Sequence, residues 1–368
     1  MKCRNYCLIC LAAVSIFSCG RKPADGGPVV FDVESAADAG KFSGSDTDRL
    51  FDVAGWTAIQ TADSVVMGNI GIYGYDDGIL YGADQYGIWV IRESDGAVLR
   101  HIDKTGNGPG EYVSFAALSV DNSRDLLLVY DMFKSEVLAY SFDGTFRPEA
   151  SKDSTGAIYP MGDGRLMATL PGFTDDEYCF RIYDTSWNLV RESTVRANRK
   201  ESAYFSGTPP LFTGRGECIY RPFRNDTLYC VKRNEDVPSF VFDNGKYTAP
   251  DEFYTHSISG SADSYITGSS DRIIGDMIFH SFRLEDKAYH QIWDTGTGKL
   301  LYQEVSAPDN PSSGLPFTVR GAQICFWPAY VFGNDVFIVL GYRDALRLVP
   351  GLQEDDNPVV LHLRYMES

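Results

Sequence analysis

The chain has 368 residues, a formal net charge of −17, 44% hydrophobic residues and 13% aromatic residues. That balance excludes nucleic acid and an anionic membrane surface as partners, because the phosphate attraction that drives such binding is reversed. It suits a neutral or cationic partner, or solubility alone.

Met1-Lys2-Cys3-Arg4 is followed by an apolar run from Tyr6 to Phe17 and then by Ser18-Cys19-Gly20. Two basic residues, an apolar stretch too short to remain as a membrane span and a small residue before a cysteine predict a secretory signal over residues 1–18. Its loss removes Lys2 and Arg4 and leaves the mature chain two units more acidic. Ile16-Phe17-Ser18-Cys19 resembles the lipobox of bacterial lipoproteins, which implies that Cys19 becomes the lipid-modified first residue. An ordinary cleaved signal with an incidental cysteine is the alternative. Residues 19–50, rich in Gly and Pro from Gly20 to Pro28, read as a flexible tether. No later stretch approaches the roughly 18 unbroken apolar residues of a membrane helix. The expected arrangement is a folded domain over residues 51–368, held by an acyl anchor at the cell envelope, in the outer membrane, as a monomer.

Beyond Trp56 helical periodicity is hard to find. Short β-branched and aromatic runs recur instead, from Ile79–Ala83 through Leu126–Tyr130, Tyr178–Tyr183 and Met277–Leu284 to Val359–Tyr365. Asp77-Gly78, Asp95-Gly96, Asp143-Gly144, Asp163-Gly164 and Asn244-Gly245 supply the positive φ of tight hairpins. The segments beginning at Gly87, Glu136, Tyr178 and Tyr289 share one grammar: a strand, an acidic or Gly turn, and a return strand. Recurring at a period near roughly 40 to 50 residues, this is the outer hairpin of a propeller blade. The chain is therefore read as all-β, a six-bladed β-propeller of four-stranded antiparallel blades. The blades fall near residues 65–111, 112–155, 156–205, 206–255, 256–310 and 311–368, and an N-terminal strand within Phe51–Gln60 closes the last.

Gly106-Asn107-Gly108-Pro109-Gly110-Glu111-Tyr112 cannot continue a strand or helix and reads as the joint between two blades. With Leu127–Asp131 and Val137–Gly144 after it, this stretch resembles the NHL-type repeat. Asn225-Asp226-Thr227-Leu228-Tyr229 and the closing Asp356-Asn357-Pro358-Val359-Val360 add a resemblance to the six-bladed, TolB-like propeller lipoproteins of gut Gram-negative anaerobes. The resemblance implies fold and envelope address more than chemistry. Asp63-Ser64-Val65 and Asp226-Thr227-Leu228 also resemble the O-glycosylation acceptor of those organisms.

Once the signal and Cys19 are set aside, Cys179, Cys218, Cys230 and Cys325 remain, each within an apolar run and without metal-ligand spacing. They read as buried thiols, with a Cys218–Cys230 pair as the alternative. No histidine pattern signals a metal, although calcium or zinc on the axis is compatible with the fold. No Gly-x-Ser-x-Gly elbow or phosphate loop is present, so no catalytic residue is assigned. The candidate ligand-binding residues are Glu111, Tyr112, Arg272, His256, Trp327 and Tyr330: exposed rings suit sugars or peptide side chains, and Arg supplies directional bonds. Glu111 has a second reading, as the acceptor that pins its own turn. Two functions fit: a binding or scaffold module for a glycan, peptide or partner protein, or a metal-dependent lactonase or lyase.

Overall fold

Leu126–Asp131 is buried at every position, which a strand achieves only when both of its faces are covered. In this computed structural model, which describes residues 26–43, 49–62, 65–113, 115–154, 156–170, 178–196, 209–223, 225–250, 264–308, 310 and 313–366, the two faces serve two different neighbours. Leu127 and Val129 pack with Tyr81 and Val90 on one side; Leu128 and Tyr130 pack with Ile158 and Leu166 on the other. The same alternation runs around the molecule and generates six apolar seams between six blades.

Counted from the axis outward, blade one is Gly71–Asp76, Ile79–Asp84, Gly87–Arg92 and Val98–Ile102. Blade two is Phe115–Asp121, Leu126–Asp131, Glu136–Ser141 and Lys152–Asp153. Blade three is Ile158–Pro160, Arg165–Thr169, Phe180–Asp184 and Leu189–Glu192. Blade four is Leu211–Phe212, Cys218–Tyr220, Thr227–Val231 and Asp236–Asp243. Blade five is Thr267–Ile274, Met277–Leu284, Lys287–Asp294 and Leu300–Ser306. Blade six is Tyr330–Phe332, Asp335–Leu340 and Val359–Tyr365, with Phe51–Ala58 as its outer strand. That outer strand pairs antiparallel from Tyr365↔Phe51 to Val359↔Ala58 and closes the ring where the sequence placed the closure.

The turns follow their chemistry. Asp77 and Gly78 both take positive φ, 41° and 77°, as a two-residue hairpin with right-handed twist requires. Asp143, Asp184 and Asp294 accept backbone N–H groups of their own turns. Asn244-Gly245 departs from expectation: Asn244 has φ −80° and leads into a 3₁₀ turn over Gly245–Tyr247.

Two assignments need correction. The tether does not extend to residue 50, because Val29–Asp32 adds in parallel to the outer strand of blade four. A helix, Val33–Ala39, and the short strand Phe42–Ser43 then cross to the outer strand of blade five. Phe31 drives this docking by packing on Phe240, Phe242 and Trp293, and the Gln303 side-chain amide donates to the carbonyls of Ala36 and Gly40. The last blade does not begin at residue 311. Leu315–Val319 and Ala322–Phe326 form a separate hairpin that fills the seam between blades five and six. A helix over Tyr342–Leu348 interrupts blade six. Cys218 and Cys230 do not pair with each other, as the thiol reading expects: Ile219, not Cys218, lies opposite Cys230, so the period of two sends them to different seams. Cys179, Cys218 and Cys230 are buried, whereas Cys325 is only half-buried, and burial pushes the Cys218 thiol up to about 12.

The closing seam carries a charged latch. His362, 3% exposed, bonds Glu93 of blade one through Nδ1 at 2.6 Å and Asp335 of blade six through Nε2 at 2.8 Å. Two carboxylate acceptors require two N–H donors, hence an imidazolium. Burial pulls its pKa down, but the bonds to Glu93 and Asp335 outweigh that and leave it raised. The same bond holds Glu93 below the ordinary carboxylate value. Tyr75 donates to Glu93, and Arg364 donates to Asp335. A raised histidine pKa contributes stability that is full below the unfolded value of about 6.5 and is lost as pH rises through the folded value. The unfolding temperature should therefore fall with rising pH across that window in the native chain, while His362→Gln should show a flatter profile and cost on the order of 3 kcal/mol at the acid end. Parallel profiles for the two proteins would remove the latch.

Candidate functional site at the axial mouth

The inner strands of blades one and two, two and three, four and five, five and six, and six and one touch around the axis. On one face lie the connections between blades together with the turns between second and third strands. There the inner strand of blade one is bulged: Ile72 pairs with Gly82 and Gly74 with Tyr81, leaving Tyr73 unopposed. A bulge of this kind re-aims a side chain, and Tyr73 stands 38% exposed. Gly71 makes room for it, since a Cβ there would lie 3.0 Å from the Tyr73 ring. Phe115 of blade two meets Tyr73 edge-on, with centroids 6.3 Å apart and planes at 80°.

With Tyr112, Tyr330, Asn69 and Gln85, these two rings line a cavity of about 470 Å³, within the range of small-molecule sites. Tyr112 is 3% exposed and its hydroxyl makes no hydrogen bond. Burial, and then the neighbouring Tyr330 phenol, raise the pKa of Tyr73; burial raises Tyr330 and Tyr112 also. Tyr159 of blade three, beside Tyr73, is pushed up to about 12. All of these phenols are neutral hydroxyls at physiological pH. Asp84, a carboxylate in the wall, is held in place by three donors: it accepts from the N–H of Gly68 at 2.7 Å, that of Tyr86 at 2.8 Å and the Trp89 indole at 2.9 Å.

Of the residues singled out from sequence, Tyr112 and Tyr330 are brought together here. Glu111 has the structural role: its Oε2 accepts from the Gly108 N–H at 2.7 Å and fills the notch at Gly106 and Gly108, where a side chain would collide with it. Arg272 belongs to the inner strand of blade five, and its guanidinium donates to the carbonyls of Ala329 and Asp271 and to Ser270 Oγ. Trp327 is partly buried in the seam of blades five and six, edge-on to Phe279 and His290, and does not line the cavity. His256, Cys19 and Ser64 lie outside the described residues. Thr227 sits in a paired strand of blade four. Tyr73 and Phe115 were missed, although a tyrosine spaced between Gly71 and Gly74 was a readable hint of a bulge.

Two other features compete for attention. A hollow of about 620 Å³ beside the closing seam includes Trp56, Arg92 and Glu93, but Arg92 is paired with Asp95 and Glu93 with His362. Between blades four and five, Asp271 binds His280 Nδ1 at 2.6 Å and Arg221 at 2.9 Å. Burial lowers the His280 pKa, leaving a neutral ring stacked on Phe242. Among the described residues no group of three or more His, Cys, Asp or Glu is placed to hold a metal ion.

The fold and its axial mouth define a six-bladed β-propeller with an aromatic-lined axial cavity. The chain belongs to the family described as Domain of unknown function (DUF4934), which matches residues 30–364. No curated protein matches it. Among solved structures, a provisionally described exported protein of Bacteroides fragilis NCTC 9343 is 18% identical, with a TM-score of 0.67 over 92% of this chain and 99% of that one. A DUF4221 family member of Bacteroides vulgatus is 8% identical, with a TM-score of 0.52 over 86% and 98%. At such identities the likeness shows the fold alone.

An unsatisfied buried hydroxyl costs free energy that a phenyl ring does not. Tyr112→Phe is accordingly expected to stabilise the ligand-free protein by about 1 kcal/mol in chemical denaturation. A loss of that size would mean that the hydroxyl is bonded.

Proposed function

We propose that the protein is a lipid-anchored propeller of the cell envelope that binds a small ligand at its axial mouth. The observation that carries this is the convergence of Tyr73, Phe115 and Tyr330, from three blades, on a cavity that Tyr112 also lines. Rigid blades hold the rings in place without ordering cost on binding. The envelope address is supported by the signal-like start, by Cys19 in its lipobox-like setting and by the exported description of the Bacteroides fragilis structure. Acylation at Cys19 would tether the propeller through the segment that enters at the outer strand of blade four. The metal-dependent lactonase or lyase has no observation in its favour: the axial lining is mainly phenol, phenyl and amide, and its one carboxylate, Asp84, is held by three protein N–H groups.

Two measurements test this reading. In detergent phase partition, the native protein should enter the detergent phase and Cys19→Ser the aqueous one; equal partition of both would remove the anchor. Exhaustive chelation should leave the unfolding temperature unchanged, whereas a chelator-dependent fall with a stoichiometric metal would restore the metalloenzyme.

A further inference from the structure

The mouth's inventory of groups narrows the ligand, given the reading above that it is a binding site. Tyr73, Tyr112 and Tyr330 carry neutral hydroxyls, and Asn69 and Gln85 carry amides; each can both donate and accept. Asp84 is the one carboxylate among the lining residues; three neutral N–H groups fill three of its lone-pair sites and leave its negative charge in the wall. Arg272, close to Tyr330, is committed to two carbonyls and a serine. An anionic ligand placed here would lose water against a like charge. Neutral hydroxyls would find partners of matching type.

The rings add a second requirement. Tyr73 and Phe115 meet edge to face rather than stacking, and Tyr73 is partly exposed at the mouth, an aromatic surface that suits an apolar plane. A ligand that offers C–H groups on one face and hydroxyls around its edge meets both conditions. We infer that the axial mouth binds a neutral saccharide, one sugar ring resting on the Tyr73–Phe115 corner with its hydroxyls toward Tyr330, Asn69 and Gln85.

The test is titration calorimetry on the full-length acylated protein in a sugar-free detergent. Its probes are neutral oligosaccharides of glucose, mannose, galactose and xylose, with oligogalacturonate and a set of short peptides as competitors. At least one neutral series should bind, and at least tenfold more tightly than oligogalacturonate, a difference of about 1.4 kcal/mol. Tyr73→Ala and Phe115→Ala should each weaken that binding at least tenfold, and Tyr330→Phe about threefold, with unfolding temperatures showing that each variant is folded. If oligogalacturonate or a peptide binds as tightly and still requires Tyr73, the saccharide assignment falls and the binding mouth stands. If a ligand binds with no dependence on Tyr73 or Phe115, the mouth falls as well. Failure of every neutral series to bind overturns the inference.

Discussion

Ring closure is the constraint on which the other features rest. Each blade is covered on both faces by its neighbours, so no seam is complete until the last blade meets the first. That junction is made by two devices of different kind. Phe51–Ala58 supplies the outer strand of blade six, removing an edge that would otherwise invite pairing with other chains. His362 then ties the second and third strands of blade six to blade one through Asp335 and Glu93. The consequence reaches the axis. Tyr330 belongs to blade six, whereas Tyr73 and Phe115 belong to blades one and two, so the cavity's wall exists only in the closed ring.

The acidity of the chain takes a different meaning once the bonds are seen. Asp131 is fully buried and binds the N–H groups of Val113, Phe133 and Lys134. Asp84 does the equivalent work in blade one, and Asp143, held down at about 2 by Ser141 and Thr145, shapes a hairpin of blade two. These carboxylates are turn acceptors, spent within the fold. The two deeply buried histidines show how local pairing sets charge. His362, between two carboxylates, keeps its proton; burial leaves His280 neutral, its single carboxylate partner being shared with Arg221.

The sequence by itself determined the class, the number of blades, most of their boundaries and the closing strand, because these follow from local rules. A period of two, an apolar run buried on both faces and Asp-Gly turns are all written within a few residues of one another. Tertiary structure alone decided what depends on register and on distant pairing. The thiols of Cys218 and Cys230 separate through a one-residue offset. Val29–Ser43 folds because Phe31 finds a slot between two blades. Trp327 is filler while Tyr330, three residues on, lines the mouth. Tyr73 turns to the axis through a bulge that depends on which residues of the neighbouring strand it faces. A site assembled from three blades has no contiguous motif, because each blade contributes one ring and the closed ring alone brings them together.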